Sequence, residues 1–103
     1  MIKFALFARL EAKPGKEADV AAFLEAGLAM ARAETTTPIW FALRLSPSTF
    51  GIFDAFEDEA GRQAHLTGPI AQALMAKAPE LFAKPPLIEQ IEVLGLKNAA
   101  AAS

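Results

Sequence analysis

The chain has a single histidine, His65, and one carboxylate that interrupts an aromatic strand-like run, Asp54. An imidazole titrates near neutral pH, so His65 could accept a proton or donate a hydrogen bond to a bound ligand. A carboxylate among Phe residues is either functional or paired, and Arg44 or Arg9 could pair with it across a sheet. The alternative for His65 is a structural ring that bonds a backbone carbonyl or lies at the surface. We take His65 and Asp54 as the candidate catalytic residues.

Three further side chains are candidates for substrate binding. Trp40 and Phe53 offer aromatic surface, and Arg44 offers a charge near the end of a predicted strand. Each has an ordinary alternative. The aromatic rings could belong to a core or an interface, and the guanidinium could be solvated or paired.

Composition excludes several chemistries. With 0 Cys, the chain has no thiol nucleophile and no thiolate ligand, and a single His argues against an all-protein zinc site. It has no Gly-rich phosphate loop of the G-x-G-x-x-G type. We therefore predict no metal and no cofactor.

The net charge and the length of the uncharged stretches argue against two kinds of partner. The net charge is -2 and the charges are interleaved, so no basic stripe points to nucleic acid. The longest uncharged stretch, residues 35–43, is too short to span a bilayer, and the first residues lack a signal-peptide apolar region. We expect no nucleic-acid or membrane partner and a cytoplasmic location.

The 103 residues suit one domain, residues 1–97, followed by a flexible alanine-rich tail, residues 98–103.

The spacing of hydrophobic residues along the chain predicts the strands and helices that must position the candidate site residues. Alternation predicts strands over residues 2–12, 39–45, 49–56 and 87–96, and spacings of three and four predict helices over residues 16–33 and from residue 57 onward. Asp58 suits a helix N-cap, Gly68-Pro69 interrupts the second helix, and Pro79 starts a short further turn. Gly27 lies on the apolar stripe of the first helix, where close packing would explain it. The order β-α-β-β-α-β predicts a ferredoxin-like α+β fold, a four-stranded antiparallel sheet with two helices on one face.

The strands carry large apolar residues on both faces. Phe7, Trp40 and Phe53, with small residues between them, would form an exposed apolar surface on the sheet face opposite the helices. This pattern predicts a homodimer through the open sheet face. The alternative is that the tail and loops cover that face.

Residues 34–69 resemble the antibiotic biosynthesis monooxygenase family, whose members are dimeric α+β barrels. That family typically has an E-x-G-T-x-x-Y strand, an F-x-x-x-E-x-W strand and a helix ending A-H-L-x-S-P-H. The matching positions are Glu34, Thr37, Trp40 in place of Tyr, Phe50, Asp54, Phe56 in place of Trp, Ala64-His65-Leu66 and Pro69. The departures are Thr36 for the family glycine, Gly68 for serine and Ile70 for the second histidine.

The resemblance implies the fold and the dimer, and it suggests a cofactor-independent monooxygenase acting on a quinol-, phenol- or polyketide-like small aromatic molecule. His65 would be the base, with Asp54 and Trp40 orienting or lining the pocket between sheet and helices. The alternative is a non-catalytic small-ligand-binding or structural homodimer of the same fold, which the changes at Trp40 and Ile70 favour. An isomerase or lyase activity on this fold is a third option.

Overall fold

The computed structural model describes residues 1–97, and the predicted tail, residues 98–103, lies outside the described residues. In chain order the elements are β1 Phe4–Glu11, α1 Glu17–Ala33, β2 Ile39–Arg44, β3 Thr49–Phe56, α2 Glu59–Leu66, α3 Pro69–Leu81 and β4 Leu87–Glu92. The four strands form an antiparallel sheet with the order β2-β3-β1-β4. This arrangement confirms the ferredoxin-like α+β fold.

The second helical region is two helices, as the Gly68-Pro69 interruption predicted. Pro69 occupies the first turn of α3, where its missing N–H leaves no bond unmade. The predicted new turn at Pro79 is wrong, because α3 continues through that proline to Leu81. Only the last residues of the helix follow Pro79, so little of it depends on the hydrogen bond that proline cannot donate. None of the helices within residues 1–97 is long and apolar enough to cross a membrane.

The strand register decides which side chains share a sheet face. Trp40 lies opposite Asp54, and Asp54 lies opposite Leu6, so all three point to the side that the helices cover. The prediction that placed Trp40 on the open face is therefore wrong by one position. Phe41 occupies that face instead, with its ring centroid 6.4 Å from that of Phe53.

The core fills the space between the sheet and helices α1 and α3. Trp40 packs into it against Gly27 of α1. A Cβ atom at position 27 would lie 3.4 Å from Cη2 of the Trp40 ring. The close packing expected of Gly27 is thus confirmed. The buried apolar residues of the core are Ala8, Leu10, Ala12, Val20, Leu24, Phe50, Ile52, Leu74, Leu81 and Phe82.

Candidate active site

The only histidine lies between two carboxylates, and we call Glu34, Asp54 and His65 the acid–histidine cluster. The Nδ1 atom of His65 is 2.8 Å from Oε1 of Glu34, and its Nε2 atom is 2.7 Å from Oδ2 of Asp54. Thr37 donates its hydroxyl to the same Glu34 oxygen at 2.7 Å. The side chains of His65 and Asp54 are 7% and 3% exposed, so water screens this cluster very little. Asp54 is therefore paired with the histidine and not with the arginines that the sequence suggested.

The two short contacts fix the number of protons in the cluster. A hydrogen bond needs one proton between its two heavy atoms, so both ring nitrogens of His65 share a proton with a carboxylate. Either His65 is an imidazolium between two carboxylates, or it is neutral and one acid is protonated. Both forms hold one proton more than a neutral histidine beside two ionised acids. The cluster therefore stores a proton that it can exchange internally.

Burial and pairing act on the two titrating groups in a definite way. Burial raises the pKa of Asp54 above its ordinary value of 3.8, although the hydrogen bond to His65 works against it. Burial alone would lower the pKa of His65, but the hydrogen bonds and charges of Asp54 and Glu34 outweigh it. The net effect raises the pKa of His65 above its ordinary value of 6.5. The imidazolium form also benefits from its place in the last turn of α2, at the negative end of the helix dipole.

Helix α2 is anchored at its start and along its buried side. Asp58 caps it by accepting a hydrogen bond from the N–H of Gly61 at 2.7 Å, which confirms the predicted N-cap. Arg62 is 7% exposed and donates to the backbone carbonyls of Ala5 and Ile91 on the sheet. These contacts hold α2 against β1 and β4, so the His65 ring one turn later is presented to β3.

The loop that carries Glu34 reaches His65 by packing on α2 at Gly61. A Cβ atom at position 61 would lie 3.1 Å from the carbonyl oxygen of Thr36. Glycine at this position therefore allows the loop backbone to approach the helix closely. Phe56 completes the surroundings of the imidazole, with its ring centroid 5.4 Å from that of His65.

A small apolar pocket opens beside Asp54 and His65. It has a volume of about 30 Å³. An engineered apolar cavity of roughly 150 Å³ binds benzene, so this pocket admits a water molecule or two and not an aromatic ring in the present side-chain positions. The remaining residues of its wall are apolar, namely Leu6, Ala8, Ile52, Leu66, Ile70, Ala71, Leu74 and Ile88. One wall residue, Ile88, is 40% exposed, which places the pocket near the surface at β4.

The structure brings together three of the five predicted site residues. The side chains of His65 and Asp54 are in hydrogen-bonding contact, and Trp40 on β2 lies directly opposite Asp54 on β3. Phe53 lies on the opposite sheet face from Asp54, because successive side chains of a strand alternate. Arg44 lies at the far end of β2, where its guanidinium stacks 4.5 Å from the ring centroid of Phe50.

Sequence reasoning missed Glu34 and Thr37 as site residues, although both were quoted for the resemblance. Their three-residue spacing, just before a strand, was the available signal. The three members of the cluster do not converge on one point, since the acids lie on different nitrogens of the ring. Within residues 1–97 no group of side chains is arranged to hold a metal ion.

Comparison with known structures defines the class of fold. A "putative antibiotic biosynthesis monooxygenase" from Nitrosomonas europaea is 13% identical, with a TM-score of 0.78 over 89% of this chain and 90% of that one. Rv0793 from Mycobacterium tuberculosis is 19% identical, with a TM-score of 0.76 over 94% of this chain and 98% of that one. At such identities the likeness concerns the fold alone, which is the ferredoxin-like α+β fold.

A much closer structure shows the family. NE2512, a protein of unknown function from Nitrosomonas europaea, is 61% identical, with a TM-score of 0.93 over 95% of both chains. The chain belongs to the same family as NE2512. No protein-family model matches the chain, and no curated protein matches it.

Proposed function

We propose that this protein is a cofactor-independent monooxygenase that acts on a small quinol-, phenol- or polyketide-like aromatic molecule bound between the sheet and the helices. One observation carries the proposal. Asp54 uses Oδ2 to bond His65, while its buried Oδ1 has no hydrogen-bond partner among the described residues. The same carboxyl group lines an apolar pocket. A free carboxylate oxygen in such a place can accept a proton from a phenol hydroxyl.

The cost of the cluster supports a chemical role. Burying several ionisable groups is expensive, and apolar residues of similar volume are often as stabilising or more so. Two carboxylate oxygens, Oδ1 of Asp54 and Oε2 of Glu34, are buried without a partner in the described part of the chain. Unsatisfied buried groups of this kind weaken a fold, so their presence favours a function over a stabilising role.

The proposed roles follow from which atoms are free. Both nitrogens of His65 are occupied, so Asp54 and not His65 touches the substrate. Asp54 takes the phenol proton, and the bonds from His65 to Asp54 and Glu34 spread the charge of the added proton over the cluster. His65 is then a positioning and proton-storing residue, which modifies its predicted role as the direct base.

The reaction balances with molecular oxygen as the only co-reactant. The phenolate transfers an electron to O₂, and the two resulting radicals join to form a peroxide anion on a ring carbon. This peroxide anion takes the phenol proton back from Asp54. Asp54 then removes the hydrogen on that carbon. The electron pair of the broken C–H bond forms the new C=O bond as the O–O bond breaks. The hydroxide that leaves takes the proton that Asp54 removed from the ring carbon. A phenol and O₂ thus give a quinone and water.

The test is oxygen uptake with a panel of phenols and hydroquinones of increasing size. We expect wild type to consume O₂ faster than the spontaneous oxidation, and Asp54→Asn and His65→Ala to slow it by about 10²-fold or more, as for a lost acid–base group. The conservative Thr49→Ser, on the same strand but away from the cluster, is the matched control and should keep the wild-type rate. Equal rates for wild type and Asp54→Asn would contradict the proposal.

The second candidate is a non-catalytic ligand-binding or structural protein. The observation that favours it is the volume of about 30 Å³ beside His65, which leaves no room for an aromatic ring unless a wall side chain moves. No oxygen uptake with any phenol, together with no binding of the same phenols, would favour this candidate.

We further propose a homodimer through the open sheet face, a single domain over residues 1–97 and a cytoplasmic location. The support for the dimer is the apolar character of the open face, where Phe41 is 55% and Leu87 is 56% exposed. Phe7, Phe53 and Ile91 lie on the same face by register. Large contiguous apolar surfaces of this kind usually mark an interface.

A further inference from the structure

The acid–histidine cluster has a carboxyl oxygen to spare at each of its two ends. The imidazole of His65 occupies Oδ2 of Asp54 on one side and Oε1 of Glu34 on the other. The remaining oxygens, Oδ1 of Asp54 and Oε2 of Glu34, are buried and have no hydrogen-bond partner within residues 1–97. A carboxyl group can accept a proton on one oxygen and release it from the other. The cluster therefore forms a continuous hydrogen-bonded chain with an available oxygen at both ends.

The two ends of this chain lie beside different spaces. Asp54 lines the pocket of about 30 Å³, whereas Glu34 lines a hollow of about 300 Å³ between the end of α1 and the start of β2. The Asp54 side chain is 3% exposed and that of Glu34 is 15% exposed. Because this hollow has room for several water molecules, the Glu34 end of the chain is the end nearer to bulk water.

The other polar side chains in the wall of the hollow cannot take the place of Glu34. The wall also contains Arg32 and Thr37. The guanidinium of Arg32 keeps its proton in proteins, so it cannot accept one from the cluster. The hydroxyl of Thr37 already donates its hydrogen to Oε1 of Glu34. Glu34 is therefore the group in this wall that can exchange a proton with water on behalf of the cluster.

We infer that the cluster is a proton relay, in which a proton on Asp54 passes through His65 to Glu34 and leaves at the hollow. The proton on Oδ2 of Asp54 moves to Nε2 of His65, and the proton on Nδ1 of the same ring moves to Oε1 of Glu34. Each transfer crosses one hydrogen bond, of 2.7 Å and 2.8 Å respectively. Glu34 then gives its proton to a water molecule, and the reverse sequence reloads the cluster.

The relay gives Asp54 a connection to water that does not pass through its own pocket. Its catalytic use rests on the proposed function, in which Asp54 must be ionised before it takes the phenol proton. The proposed reaction returns its protons to the products, so the relay sets the charge with which Asp54 begins, even while a ligand closes the pocket. Glu34 acts through His65 and is a positioning residue that carries protons.

The test is the rate at which the ring N–H protons of His65 exchange with water, measured by NMR on ¹⁵N-histidine-labelled protein without substrate. The chain has 1 His, so the ring signals report His65 alone. Glu34→Gln and Asp54→Asn are a matched pair, because each replaces one carboxyl group by an amide of the same shape. We expect Glu34→Gln to slow the exchange by about 10-fold or more, as for a lost acid–base group, and Asp54→Asn to leave it near the wild-type rate.

The sign of the change separates a relay from a structural role. If Glu34 only held the loop against α2, its replacement would loosen the loop and accelerate the exchange. The slowest backbone amides in the same samples correct for opening of the whole fold. Exchange in Glu34→Gln that is as fast as in wild type, or faster, would overturn the relay. Slowing by Asp54→Asn to the same or a greater extent would overturn the assignment of Glu34 as the exit.

Thr37→Val is the control for the hydroxyl beside Glu34, because it keeps the shape of the side chain and both carboxyl oxygens of Glu34. We expect it to exchange near the wild-type rate, and slowing equal to that of Glu34→Gln would overturn the route through the carboxyl group. The relay and the proposed function can fail separately. The expected exchange rates without any oxygen uptake would contradict only the proposed function. Oxygen uptake with unchanged exchange in Glu34→Gln would contradict only the relay.

Discussion

The Nε2 atom of His65 lies 2.7 Å from Oδ2 of Asp54, inside a part of the molecule where both side chains are almost fully buried. This contact joins the end of α2 to the middle of β3 and fixes one carboxylate oxygen while leaving the other free. Asp54 and His65 both line a small pocket whose other wall residues are apolar. Under the proposed function, this relationship makes Asp54 the group that meets the ligand and His65 the group that adjusts the charge on Asp54.

The first prediction separates function from stability. His65→Phe alone leaves Asp54 and Glu34 buried without their partner, so we expect it to lower the free energy of unfolding by about 3–5 kcal/mol. The triple variant Glu34→Met, Asp54→Leu, His65→Phe removes the whole cluster, and we expect its stability to equal or exceed that of wild type. Urea unfolding of the three proteins measures this. A triple variant that is less stable than wild type would show that the cluster is a stabilising element.

The second prediction concerns pH. The pKa values of His65 and Asp54 are both raised in the folded state, so the folded protein binds more protons than the unfolded one. The contribution of His65 is complete below its unfolded value of 6.5 and disappears as the pH rises through its higher folded pKa. The raised pKa of Asp54 acts in the same direction above 3.8.

The measurement is the urea midpoint from about pH 6 to pH 9. We expect the midpoint of wild type to fall as the pH rises, and that of the triple variant, which lacks these groups, to fall less. A wild-type midpoint that rises over this range relative to the triple variant would contradict the assigned pKa directions.

The third prediction tests how Glu34 reaches His65. Gly61→Ala places a Cβ atom 3.1 Å from the Thr36 carbonyl, so the loop must move away from α2. We expect the proposed oxygen uptake to fall and the pKa of His65, followed by NMR, to move down toward 6.5 as Glu34 withdraws. Gly95→Ala is the control, because nothing lies within 4 Å of its Cβ position. An unchanged His65 pKa in Gly61→Ala would show that the loop position does not depend on this contact.

The fourth prediction tests the homodimer. Phe41 on the open sheet face and Met75 on α3 are 55% and 56% exposed, which makes them a matched pair of apolar surface residues. Phe41→Glu should convert a dimer into a monomer, whereas Met75→Glu should leave the dimer intact. Light scattering after size exclusion gives the mass. A monomeric wild type at micromolar concentration, or a dimeric Phe41→Glu, would contradict the proposed interface.

The fold could be predicted from the sequence because its signals are local. Hydrophobic residues at every second position predicted the strands, and hydrophobic residues spaced three to four apart predicted the helices. Gly68-Pro69 marked the break between the last two helices, and Asp58 marked a helix start. It was harder to predict which face of β2 packs against the helices, because Trp40 and Phe41 are both large and apolar. Alternation alone does not distinguish the two faces of such a strand. Only pairing with β3 decides that Trp40 faces the helices.

The site could be predicted only in part. His65 and Asp54 are conspicuous by type, but their contact depends on how α2 docks on the sheet. Glu34 could not be ranked as a site residue from its own surroundings, because its role depends on a loop that reaches α2 at Gly61. The pairing of Asp54 with an arginine was a reasonable electrostatic expectation, yet Arg44 lies at the other end of β2.

The most direct test of the central claim is the fate of ¹⁸O₂ with a substrate that carries a single hydroxyl, a phenol or a naphthol, followed by mass spectrometry of the product. The account predicts that wild type places one labelled oxygen atom in each quinone product and the other in water, and that Asp54→Asn does so at least about 10²-fold more slowly. The account would be contradicted by a product without label, or by labelled product formed at the same rate with Asp54→Asn or with no protein.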